Sequence, residues 1–187
     1  MRRWNLMKNF FVLSIVILIT IACATQPLLK DYKPKSFDEE KIINLMVKFE
    51  QGYSQQNPEK ILETYTQGAM IKTIVDKSDW SGVMISKRDH AEVLYKQMDF
   101  YKRIKLKLII HQPREFIIKG NEANMTCIYE IYGTDPSAPD PYKNFYEEGI
   151  CYLNLIKTNS HWLINKRTWD IIESNDPNFM QWKKKQK

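Results

Sequence analysis

Apolar residues recur along this chain with two different periods, and the change of period divides it. From residue 36 to 101 the spacing is helical. Ser36-Phe37-Asp38-Glu39 has the form of a capping box, a serine with an acid three residues later. After it Ile42, Leu45/Met46, Phe49 and Tyr53 fall on one stripe, which predicts a first helix. Asn57-Pro58 opens a second, shorter helix, with Asn as cap, Pro at the first position and Ile61, Leu62 and Tyr65 as its buried face. Gly68 reads as a helix stop, followed by a strand from Ala69 to Val75. Ser86 and Asp89 cap a third helix that places Ala91, Leu94/Tyr95, Met98 and Tyr101 on one side.

From residue 105 the period is two. Leu106, Leu108 and Ile110 alternate with Lys105, Lys107 and Ile109, and Phe116-Ile117-Ile118 resumes the strand after a bend at Pro113. Further strands are predicted at Glu122–Tyr132, Phe145–Lys157 and Trp162–Ile172, the last two joined by a turn at Asn159-Ser160. The predicted class is α+β, with three helices in the N-terminal half and then an antiparallel sheet.

This order resembles the NTF2-like superfamily, which includes the SnoaL-like and ketosteroid-isomerase-like domains. The resemblance is carried by "EKIINLMVKFEQGYSQQNPEKILETY", by the third helix before a long strand, and by the closing "SHWLINKRTWDI". It covers residues 36–173 and implies a strongly curved sheet wrapped onto the helices as a cone, with a pocket at the open end. A cystatin-like or other α+β roll, differing mainly in helix count, is the other reading.

Ahead of the domain, Arg2, Arg3 and Lys8 flank a run from Asn9 to Ala22 that is nearly all apolar. Fourteen residues of helix span about 21 Å, short of the roughly 30 Å hydrocarbon core, so the layout is that of a signal peptide. Thr20-Ile21-Ala22-Cys23 resembles the bacterial lipobox, with Thr20 where that motif favours Leu, Val or Ile. The resemblance implies cleavage after residue 22, lipidation of Cys23 and a membrane address, the outer membrane if the cell is Gram-negative. Ordinary cleavage and an uncleaved short anchor are the alternatives. Residues 23–35, with Pro27 and Pro34, read as a tether.

The formal net charge of +6 changes little. Seven of the 28 basic residues lie in the leader or among the last five residues, and the remaining 21 meet 22 acids. The folded part is near neutral and nucleic acid is not expected as a partner. Residues 174–187, ending "NFMQWKKKQK", read as a solvated basic tail, or as an interfacial segment in which Trp182 and the lysines meet an anionic surface.

Candidate chemistry is sparse. His90, His111 and His161 show no metal-ligand spacing, no close cysteine pair exists, and no metal or cofactor is expected. His90 and His161 read as ordinary, partly exposed histidines. Cys127 and Cys151 are symmetric about a loop centred near residue 139, so in a hairpin they would face each other. A disulfide there and two thiols filling the sheet face are both open. Acids on strands are Glu130, Glu147, Glu148 and Asp170; parity with Ile128 and Tyr132 singles out Glu130, and parity with Trp162 and Ile164 singles out Asp170. Tyr65, Trp80, Tyr129, Tyr132 and Trp169 are candidates to line a pocket for a small apolar ligand. With no catalytic motif, the expected function is binding of such a ligand, or of an envelope protein or second copy. An isomerase, dehydratase or hydrolase working through a pocket carboxylate is the alternative.

Overall fold

The computed structural model describes residues 26–75, 84–101, 104–137, 143–176, 179–180 and 183–184. Helix α1 (Phe37–Ser54) begins where Ser36 Oγ accepts the Glu39 N–H at 3.1 Å. Glu39 in turn accepts the Lys35 N–H at 2.7 Å, which secures the entry of the chain. The helix buries Ile42, Ile43, Met46, Phe49 and Tyr53. Asn57 caps α2 (Pro58–Leu62) by accepting the Lys60 N–H at 2.9 Å. A Cβ on Gly52 would sit 2.7 Å from Ile61 Cγ1, so glycine lets α2 close against α1. Helix α3 (Lys87–Tyr101) buries His90, Leu94 and Met98, a strict four-residue stripe. Tyr95, expected on that face, lies about 100° further round; it is 46% exposed and donates to Glu59.

The strands are β1 (Tyr65–Val75), β2 (Ile85–Ser86), β3 (Lys107–Ile110), β4 (Glu115–Lys119), β5 (Glu122–Thr134), β6 (Asn144–Thr158) and β7 (His161–Ser174). They form one sheet in the order β2-β1-β7-β6-β5-β3, with β4 also on β5. Two expectations are corrected. β1 starts at Tyr65, and Gly68 lies in a bulge between Tyr65 and Met70 instead of stopping a helix. β1 also runs parallel to β7, so the sheet is mixed; periodicity reports a strand's faces and is silent about its neighbour. Asn159 and Ser160, both at positive φ, make the tight turn into β7.

Three irregularities bend the sheet around α1: the bulge in β1 and extra residues in β7 at Asn165 and Ile172. Inside lie Phe49, Met46, Leu108, Ile110, Met125, Leu153 and Leu155.

Both ends of the domain are more ordered than expected. Residues 27–32 dock on the sheet edge instead of forming free tether: the Gln112 N–H donates to Pro27 O at 2.9 Å, Leu28 bridges to His111, and Leu29 is fully buried. Apolar area of that size is not left in water when a groove can take it. Past β7, Phe179 is 7% exposed and Lys183 bonds Glu173, so this part of the expected solvated tail also packs. Among the described residues no helix is long and apolar enough to cross a membrane. Cys23 and Trp80 lie outside the described residues.

Candidate functional site

A cavity of about 430 Å³ opens between α3 and the concave side of the sheet. Its polar wall is made by Arg167 and Trp169 on β7, Glu147 on β6, His90 on α3 and Tyr53 on α1, with Ile71, Ile131 and Phe145 among the apolar lining. Arg167 faces inward because Asn165 is an extra residue in β7: Ile164 pairs with Leu155 but Lys166 with Asn154. Before the bulge, Trp162 and Ile164 point in; after it, Arg167, Trp169 and Ile171 do.

Arg167 is 2% exposed. Its Nη1 donates to Tyr53 Oη at 3.0 Å, and its Cζ lies 4.0 Å from the centre of the Trp169 ring. Nε has no partner, and among the described residues no carboxylate comes within ion-pair distance. Arginine keeps its charge under all ordinary conditions. The cavity wall therefore holds a permanent cation that no carboxylate among the described residues pairs directly, with Glu147 acting on it only through space.

Glu147 is the acid of this wall. Tyr129 Oη donates to its Oε1 at 3.0 Å. Enclosure pushes its carboxyl up to about 7, against the pull of the Tyr129 hydrogen bond; Asp176 adds to the rise and Arg167 opposes it. Tyr129 reaches Glu147 by crossing its cross-strand partner Gly149. A Cβ there would meet Tyr129 at 2.8 Å and Asp170 O at 2.1 Å, so only glycine fits. The Tyr129 ring stacks on Trp169, centroids 4.8 Å apart. His90 is 5% exposed, not the partly exposed histidine expected, and packs edge-on to Tyr65. Burial, with the charge of Arg167 adding, pushes it down to about 3, so it is neutral. Among the described residues, His90 Nε2 and Trp169 Nε1 have no hydrogen-bond partner.

The sequence candidates divide between the two faces. Trp169 lines the cavity, and Tyr65 and Tyr129 lie in the wall behind it. Glu130 and Tyr132 are on the outer face, the corrected side for their parity, since it is Cys127, Tyr129 and Ile131 that point inward. There Glu130 accepts from Tyr132 and lies 2.8 Å from His111 Nε2. Asp170 is buried but turned away from the cavity: the Asn165 bulge reverses the parity it was expected to share with Trp162. Cys127 and Cys151 are directly opposite in register on the concave face, and both are free thiols. Among the described residues no cluster of His, Cys, Asp and Glu has the form of a metal site.

Arg167 and His90 were not singled out by the sequence. Glu147 could have been, because it shares the parity of Cys151, Leu153 and Leu155 along a strand without an extra residue of its own. Arg167 gives no such signal, since its direction depends on a bulge.

No family model and no curated protein matches the chain. Solved structures do. Kfla4162 from Kribbella flavida superposes with a TM-score of 0.64 at 11% identity, over 77% of this chain and 97% of its own. A scytalone dehydratase-like protein from Novosphingobium aromaticivorans gives 0.61 at 10% identity, over 74% and 87%. An NTF-2 like protein of unknown function from Shewanella oneidensis gives 0.55 at 12% identity, over 72% and 99%. Identities this low speak for architecture alone, and with the cone and its cavity they make this an NTF2-like fold.

Proposed function

We propose that this chain is an envelope lipoprotein, held to a membrane through Cys23, whose cone binds a small organic anion with an apolar body and does not transform it. The observation behind the ligand class is Arg167: a buried guanidinium without an ion pair in the wall of a cavity whose volume suits one small molecule. Burying a lone charge is costly, and a ligand carboxylate supplies the missing partner in a bidentate geometry. Aromatic and aliphatic lining accepts the rest of the molecule. The lipobox-like leader and its short apolar run support the address.

The test is calorimetric titration of the detergent-extracted protein with benzoate, 3-phenylpropanoate and octanoate, and with their amides. Expected is binding of the acids with the amides at least tenfold weaker, and loss of acid binding in Arg167→Met. Equal binding of acids and amides would remove Arg167 from the proposal. Mass spectrometry of the same sample should give a mature chain beginning at Cys23 with acyl additions.

Glu147 supports a second reading, acid–base catalysis. A carboxyl poised near neutrality, with a tyrosine hydroxyl on it and an open cavity in front, has the properties of a general acid or base. The catalytic alternative moves from Glu130 and Asp170, which face the other way, to Glu147. Recovery of a chemically altered ligand, dependent on Glu147, would favour it.

A further inference from the structure

The charges around the cavity bear on how an anion can enter it, if the anion-binding reading holds. A volume of 430 Å³ corresponds to a sphere roughly 9 Å across, so any carboxylate bound at Arg167 shares a small space with Glu147. Among the described residues, the groups acting on Glu147 are Tyr129 from β5, Arg167 from β7 and Asp176 just beyond β7; His90, across the cavity on α3, is neutral. One cation thus faces two anions once a ligand carboxylate arrives, with Asp176 adding more negative charge. Two carboxylates sharing one site raise the pKa of one of them. Tyr129 occupies Glu147 Oε1, while among the described residues no hydrogen bond is made to Oε2. That oxygen is open to take a proton, and as an acid it becomes a donor toward the ligand.

We infer that the cavity takes up a monocarboxylate together with one proton, which resides on Glu147 while the ligand is held by Arg167. The atoms balance simply: a buffer acid gives up its proton and becomes its conjugate base, the bond it loses is replaced by an O–H bond at Oε2, and the net charge of the wall stays that of one cation paired with one anion. In the empty cavity an ionised Glu147 offsets part of the Arg167 charge; the ligand takes over that task and Glu147 becomes neutral. Raising the pH above neutrality then opposes binding without any change in the ligand.

The experiment is titration of the intact, detergent-extracted protein with benzoate at pH 6, 7 and 8, each in two buffers of different ionisation enthalpy, so that the heat difference counts protons. Expected is little uptake at pH 6, uptake approaching one proton at pH 8, and a Kd that rises up to tenfold per pH unit above about 7. Glu147→Gln should abolish both the uptake and the slope. Binding with no proton uptake at pH 8, or a slope that survives in Glu147→Gln, would overturn the coupling while leaving the anion site intact. Absence of carboxylate binding at every pH would overturn the coupling and the anion reading together.

Discussion

Glu147 and His90 sit in one cavity, and their titrations pull stability in opposite directions. The Glu147 carboxyl is raised from an ordinary value near 4.5 to about 7, so the native state binds the proton more tightly than the unfolded chain. Its contribution is fully present below the unfolded value and is lost as pH rises toward 7. His90 is lowered from 6.5 to about 3, so its contribution is present above the unfolded value and is lost as pH falls through that window. The two slopes offset each other between about 4.5 and 6.5. Glu147→Gln removes one of them: it should stabilise the protein by on the order of 2–3 kcal/mol at pH 8 and change little at pH 4.5, as read from urea midpoints at the two pH values. Such residues were only partly visible in the sequence. Parity along an uninterrupted strand would have pointed Glu147 inward, although only Glu130 and Asp170 were singled out on that ground. The same rule misdirected Asp170, because one extra residue at Asn165 reverses the side chains of β7 from there to Ile171. A bulge has no reliable local signature in "LINKRT".

Elements themselves were written plainly. Caps at Ser36, Asn57 and Ser86 all hold, because capping is a contact between residues two or three apart and needs no tertiary partner. The β6–β7 turn is local in the same way, and it is suboptimal. Asn159 and Ser160 have φ of 49° and 66°, the left-handed region in which a Cβ is penalised at Ser160 while asparagine is tolerated. Ser160→Gly would install Asn-Gly, the preferred pair for a two-residue hairpin turn. We expect it to stabilise the fold by about 0.5–1 kcal/mol in thermal or denaturant unfolding, with no effect on the cavity at the far end of β7. What local pattern could not convey was partnership. β1 has the alternation of a strand, but nothing in residues 65–75 names β7 as its parallel neighbour.

At the scale of the molecule, the segment before α1 is part of the domain. Leu29 is fully buried, its neighbours bond to the edge at His111 and Gln112, and Tyr32 packs on Phe116 and donates to Glu39. Leu29→Ala should cost about 2–4 kcal/mol in denaturant unfolding, a penalty that a free spacer residue would not show. A lipid on Cys23 would accordingly hold the globule close to the bilayer, with little slack between them. The parallel contact of β1 with β7 has a consequence of another kind. The strand made latest lies between the two earliest, β1 and β2, and all the others, so this first pair cannot join the rest of the sheet until some hundred residues after β1 have appeared. Closure of the sheet is a late, long-range event. A nascent chain of this design stays open while it is being threaded, and shuts only when its far end arrives.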